Sequence, residues 1–277
     1  MITENDIPVG FELLRENGMT LIVRPDAKEA ARDFLSRPLP AQPAREYSGR
    51  GRLYRIDRGE DEPAILVKQY LRGGLFRGIL KDRFLSALRF ISELYLTGVA
   101  AKQGVPTLKI AALAIKPAGV FKRAYLFTEE LRGTWDLAEY CRAHANATPA
   151  ERRIIVNAVA SEVRNMHNGG VYHADLHLKN ILVKKNDPSR VYIIDFDNGD
   201  YLRDMPDERR IENLMRLDRS AEKLNRQSPT VTLTDRLRFL KAYCGGRDRE
   251  HEHFKELVRA RLKWRRLHRA WWRIIGK

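Results

Sequence analysis

The sequence predicts an α+β protein of two lobes, a β-rich N-lobe over residues 1–131 and a helical C-lobe over residues 132–277. Three observations carry this reading. Short apolar, β-prone runs at 53–56, 64–68, 110–115 and 124–128 fill the first half, whereas 135–143 and 151–167 repeat at helical spacing. A length of 277 residues is long for one domain, and an apolar fraction of 43% is enough to furnish two cores. Finally, two acid-bearing loops in the second half are each flanked by short apolar strands, at 181–183 and 191–194.

Those loops are Y-H-A-D-L-H-L-K-N-I-L-V at 172–183 and V-Y-I-I-D-F-D at 191–197. Asp and Asn are ordinary turn residues, so either loop alone says little. Together and in this order they resemble the two metal-and-phosphate loops of a kinase, in which a catalytic-loop Asp is followed five positions on by an Asn and a second Asp closes a strand. The matching positions are Asp175, Asn180 and Asp195. In that pattern Asp175 is the catalytic base that orients an acceptor hydroxyl, and Asn180 and Asp195 offer oxygen ligands to Mg²⁺, a hard cation.

The remaining elements follow in chain order. Gly49 and Gly51, in S-G-R-G-R before the strand 53–56, are candidates for a nucleotide-binding loop in which small residues let backbone N–H groups approach phosphate. The third glycine of G-x-G-x-x-G is missing, and a plain hairpin turn is the competing reading. The run A-I-L-V-K at 64–68 matches the strand whose Lys pairs the α and β phosphates, which makes Lys68 the candidate. The basic, glycine-rich stretch 71–81 reads as a loop.

Helical periodicity over 85–103, through Leu88, Ile91, Leu94 and Tyr95, contains Glu93. Glu93, the one acid in that stretch, is the candidate to orient Lys68; a solvated surface Glu is the alternative. G-V-P-T at 104–107 ends the pattern, the strands 110–115 and 124–128 follow, and the polar turn 129–133 stands where a kinase has its hinge. The helix 151–167 then delivers the chain into the first loop.

Charge is the second signal. Lys and Arg number 51 against 36 Asp and Glu, a net +15, so an anionic partner is expected. Residues 259–277 hold eight Lys and Arg without an acid, and Leu257, Ala260, Trp264, Leu267, Trp271 and Ile274 fall at helical spacing. Such a basic amphipathic helix suits an anionic membrane surface; alternatively its apolar stripe packs on the C-lobe. Nucleic acid is not expected as a partner, because no binding motif for it accompanies the charge. Residues 1–10 have neither a basic start nor an apolar core, so no signal peptide is expected. Cys141 and Cys244 lack ligand spacing and read as small packing residues, and His251 and His253 point to different sides of a helix.

From about Gly49 to Tyr243, with H-A-D-L-H-L-K-N-I-L-V, I-I-D-F-D-N-G and the segment 213–220, the chain resembles the lipopolysaccharide core kinases, most closely the 3-deoxy-D-manno-octulosonic acid (Kdo) kinases. The sharpest mark is Asp197, where protein kinases have the Gly of D-F-G. The resemblance implies transfer of a phosphoryl group from ATP to a sugar hydroxyl, in that family the 4-hydroxyl of Kdo linked to lipid A. It also implies work at the cytoplasmic face of the inner membrane on an acidic glycolipid. By motif position it assigns Asp175 as base, Asn180 and Asp195 to Mg²⁺, and Lys68 with Glu93 to the nucleotide. Arg216 and Arg219 are either substrate clamps or a solvated helix face.

Two departures stand out. His177 occupies the position two after the catalytic Asp where many protein kinases have Lys, and no A-P-E element follows Asp197, which favours glycan over protein acceptors. A heptose kinase of the same inner core, and a silent kinase fold used as a binding module, remain as alternatives.

Overall fold

A computed structural model describes residues 7–16, 18–37, 52–60, 62–71 and 82–245. The Gly49–Gly51 loop, most of the glycine-rich stretch after Lys68, His251, His253 and the basic tail therefore lie outside the described residues. The chain divides into two compact units, one of Met1–Gly133 with Ile194–Gly199, the other of Thr134–Ile193 with Asp200–Lys277.

The first unit is built on strand alternation. Strands β1 (Glu12–Glu16), β2 (Met19–Val23), β3 (Arg52–Ile56), β4 (Ile65–Gln69), β5 (Ile110–Ala118) and β6 (Phe121–Glu129) form one antiparallel sheet in the order β1-β2-β5-β6-β4-β3. Successive side chains in a strand face opposite sides. Leu21, Val23, Ile65, Val67, Tyr125 and Phe127 accordingly pack one face against helix α1 (Lys28–Ser36) through Ala31 and Leu35. Ile22, Leu113, Ala124 and Leu126 pack the other against helix α2 (Leu88–Lys102) through Phe90 and Leu94. Since Ile65 and Val67 face α1, the same period of two turns Lys68 and Tyr70 toward α2. Both faces of the sheet are thus covered, and a core lies on each.

The β1–β2 hairpin and α1 were not legible in the reading above, although the signal was present. Asn17-Gly18 between apolar runs is a strong hairpin cue, and Gly18 has φ +75°. Helix α2 also differs from its sequence expectation. It starts at Leu88 rather than residue 85, and its buried residues are Phe90, Glu93, Leu94, Leu96, Thr97 and Ala100, while Leu88 is 75% exposed. Of the expected stripe Leu94 is buried, whereas the apolar Leu88 and Tyr95 are exposed, and Glu93, offered as the partner of Lys68, takes an inward place.

In the second unit β7 (Thr134–Asp136), β9 (Ile181–Lys184) and β10 (Asp187–Ile193) form an antiparallel sheet, and β8 (Val171–Tyr172) pairs with β11 (Asp200–Tyr201). Its described residues also form the α-helices α3 (Leu137–Ala143), α4 (Pro149–Asn168), α5 (Asp207–Asn225) and α6 (Leu233–Tyr243). Trp135, expected in a helix, lies in β7 opposite Val183. The helix begins two residues later because Asp136 caps it, accepting from Glu139 N while the Glu139 carboxylate accepts from Asp136 N. The same reciprocal cap at Thr148 and Glu151 starts α4. Cys141 is half-buried, Cys244 is buried, and neither is in a disulfide.

Candidate active site

The first unit gathers five charged side chains. Lys68 Nζ lies 3.3 Å from Glu93 Oε1 and 2.6 Å from Asp195 Oδ1, so one ammonium bridges the helix carboxylate and the loop carboxylate. Glu93 is buried because it sits on the inward face of α2 with Phe90, Leu94 and Thr97. Its second oxygen, Oε2, accepts from the hydroxyl of Tyr70, which shares the strand face of Lys68. The Lys68 ammonium also stands 4.9 Å from the Tyr70 ring centroid.

One turn before Glu93, Arg89 forms a two-pronged pair with Asp197, its Nε donating to Oδ1 at 2.7 Å and its Nη2 to Oδ2. Between the two aspartates, Phe196 is fully buried. Asp195 at φ +67° and Asn198 at φ +55° are the non-glycine residues in left-handed backbone among those described. Asn tolerates this region, and Asp195 is held in it by its pairing with Lys68.

These charges shape the titration. Burial pushes Glu93 up to about 7 against the downward pull of Lys68, and the Asp195 charge adds to the rise. For Lys68, burial lowers the pKa but the Glu93 and Asp195 charges outweigh it, leaving the ammonium above its ordinary value. Burial first, then Glu93, hold the Tyr70 phenol well above its ordinary range, so it remains a donor.

The second unit carries Asp175 and Asn180 on the loop between β8 and β9. The Asp175 side chain is 69% exposed, with Oδ2 at 3.5 Å from His177 Nε2. Asn180 is buried, and its Nδ2 donates to the Asp175 carbonyl at 2.9 Å, which fixes the loop's closure and leaves Oδ1 as the oxygen able to meet a cation. Asp175 N donates to His173 Nδ1 at 3.1 Å, and His173 is wholly buried.

Beneath that loop runs a neutral network. Asn213 on α5 accepts from His173 N at 3.1 Å through Oδ1 and donates through Nδ2 to His173 O at 2.8 Å. The same Oδ1 lies 3.1 Å from His167 Nε2, and His167 Nδ1 lies 2.8 Å from the Tyr243 hydroxyl. Because an amide oxygen only accepts, His167 carries its proton on Nε2 and takes the Tyr243 proton on Nδ1. Burial lowers the His167 pKa to about 3, so the ring stays neutral. Ser220 Oγ accepts from Leu178 N at 3.2 Å, a second tie from α5 to the loop.

Lys68, Glu93 and Asp195 thus come together in the first unit, and Asp175 and Asn180 in the second. Gly49 and Gly51 lie outside the described residues. Arg216 is half-buried on α5 and Arg219 is exposed. Sequence reasoning missed Tyr70, Arg89, His173, Asn213, His167 and Tyr243. Only Tyr70 had a local signal, the period of two from Lys68.

Asn180 and Asp195 offer one amide and one carboxylate oxygen. Each is a hard oxygen donor of the kind that Mg²⁺ takes. Among the described residues no cluster of three or more His, Cys, Asp or Glu could hold a metal by itself, and no helix is long and apolar enough to cross a membrane.

A strand lysine paired with a buried helix glutamate, followed by an Asp…Asn loop, belongs to a protein-kinase-like α+β fold. The solved structure of WaaP in complex with acyl carrier protein shares it, with a TM-score of 0.60 at 23% identity over 92% of this chain and 97% of that one. The chain belongs to the lipopolysaccharide kinase (Kdo/WaaP) family, whose model matches residues 37–243. Among curated relatives, a 3-deoxy-D-manno-octulosonic acid kinase of Vibrio parahaemolyticus is 34% identical over 188 residues, 64% of this chain and 71% of the relative. One of Vibrio vulnificus is 33% identical over 162 residues, 57% of this chain and 64% of the relative, so the match spans just under two thirds of that enzyme's length.

Proposed function

We propose that this protein transfers the γ-phosphoryl group of ATP to a sugar hydroxyl of the lipopolysaccharide inner core, the 4-hydroxyl of a Kdo residue carried on lipid A. The observation that carries the reading is Lys68 bridging Glu93 and Asp195, in a family member that also keeps Asp175 and Asn180 at kinase spacing. A silent binding fold would need none of the four polar side chains Lys68, Asp175, Asn180 and Asp195 to be retained. The acceptor assignment draws on the Kdo kinases similar to this chain.

In this reading Lys68, held by Glu93, grips the α and β phosphates, and Gly49 and Gly51 are further nucleotide-binding candidates. Asn180 and Asp195 are the residues that would hold Mg²⁺, which would supply charge neutralisation at the phosphate oxygens. With the Asp195 carboxylate engaged by a cation, the Lys68 ammonium would be left to meet the nucleotide. Asp175, the most exposed of these acids, accepts the proton of the attacking sugar hydroxyl as its oxygen bonds to phosphorus and the bond to the β-phosphate oxygen breaks. The partners are an acidic glycolipid and the anionic cytoplasmic face of the inner membrane, met by a chain of net charge +15.

The test supplies Mg-ATP with either a Kdo-bearing lipid A precursor or a heptosylated core and locates the new phosphate by mass spectrometry. Phosphate on Kdo supports the assignment. Phosphate on heptose alone overturns the acceptor, and no transfer to any acceptor overturns the enzyme.

A further inference from the structure

Asp197 stands where other kinases place a glycine, and it is not needed by the chemistry above. Its carboxylate is gripped at both oxygens by Arg89 of α2. Arg89 and Glu93 are four residues apart, so they project from one face of the helix on successive turns. Asp195 and Asp197 are two apart, with Phe196 buried between them.

Helix α2 is therefore joined to the Asp195–Asp197 segment twice, through Glu93–Lys68–Asp195 and directly through Arg89–Asp197. The first joint must open if Lys68 moves to phosphate and Asp195 to a cation. The second need not, because neither Arg89 nor Asp197 has a role in that exchange.

We infer that Arg89 and Asp197 form a positioning pair that keeps α2 docked on the metal-binding segment while Lys68 changes partners. The pair does the work of an ordered activation segment, an element this chain lacks: after Asp197 the chain runs through the short strand β11 directly into α5 at Asp207. Its geometry suits the task. A two-pronged guanidinium–carboxylate contact fixes direction as well as distance, and Asp197 is largely buried at 17% exposure. It also neutralises a third carboxylate beside Glu93 and Asp195, which would otherwise repel the nucleotide. This inference rests on Asp195 as a metal-binding residue, so its test separates the two.

The experiment compares wild type, Arg89→Ala, Asp197→Ala, the double variant and Asp195→Ala by hydrogen–deuterium exchange without ligand and by calorimetric titration with Mg-ATP. Arg89→Lys, which keeps the charge without the fork, guards against a variant that does not fold. In both single variants exchange is expected to rise together in the first turns of α2 and in residues 194–199. Mg-ATP affinity should fall about 10-fold, within the range of charge-assisted hydrogen bonds, and the double variant should lose no more than either single one. Arg89→Lys should fall in between. Unchanged exchange, or losses that add in the double variant, would overturn the pair. Coupled exchange with unaltered Mg-ATP affinity would overturn its positioning role. If Asp195→Ala binds Mg-ATP like wild type, the metal assignment fails and the positioning role fails with it, while the exchange data still decide whether the pair joins the two elements.

Discussion

The two units hold their polar residues by opposite means. In the first, three carboxylates and two cations, Glu93, Asp195, Asp197, Lys68 and Arg89, hold one another by charge. In the second, the loop bearing Asp175 rests on a neutral chain of His173, Asn213, His167 and Tyr243. Charge networks can rearrange when a stronger ion arrives, whereas a buried, hydrogen-bonded neutral network offers an incoming ion no charge to exchange. Under the proposed function, the contrast suits a nucleotide-gripping half-site that must exchange partners and a catalytic loop that must not.

The comparison breaks most visibly at Asp175. Asp175→Ala should lower transfer by about 10³-fold, the order expected for a general base, with little change in Mg-ATP affinity. Next, Asn213→Ala strands the His173 backbone groups and the His167 Nε2–H. A loss of about 3 kcal/mol in unfolding free energy is expected by chemical denaturation, together with a drop in turnover.

The pH dependence separates the units further, because the two buried groups pull in opposite directions. Glu93 is raised from 4.5 to about 7, so its contribution to stability is present below 4.5 and lost as pH rises through 7. His167 is lowered from 6.5 to about 3, so its contribution is present above 6.5 and lost as pH falls toward 3. Melting curves over this range should therefore show stability rising more steeply with pH in Glu93→Gln than in wild type, and less steeply in His167→Gln. The smallest effect is expected at the tail: deleting residues 259–277 should weaken binding to anionic vesicles in a salt-sensitive way, and unchanged binding would assign that segment to the fold.

What the sequence disclosed follows a physical divide. Asp175, Asn180 and Asp195 could be proposed from the sequence because loop chemistry is written in consecutive residues, and Lys68 because it follows an apolar, β-prone run. Glu93 could be chosen but not seen to be buried, since a helical pattern of apolar residues does not credit an acid with an inward place. Arg89–Asp197 and Asn213–His173 were invisible: their partners are 108 and 40 residues apart, and no local period links them. The strand at Trp135 was missed for a nearer reason, in that the capping box of Asp136 and Glu139 was read as helix interior rather than as its boundary.

The division of labour is tested most directly by measuring Mg-ATP affinity and the rate of phosphoryl transfer side by side in Lys68→Ala and Asp175→Ala. Lys68→Ala is predicted to lose affinity and transfer together, and Asp175→Ala to lose transfer alone. Loss of nucleotide affinity in Asp175→Ala equal to that in Lys68→Ala, or sustained transfer without Asp175, would contradict the account.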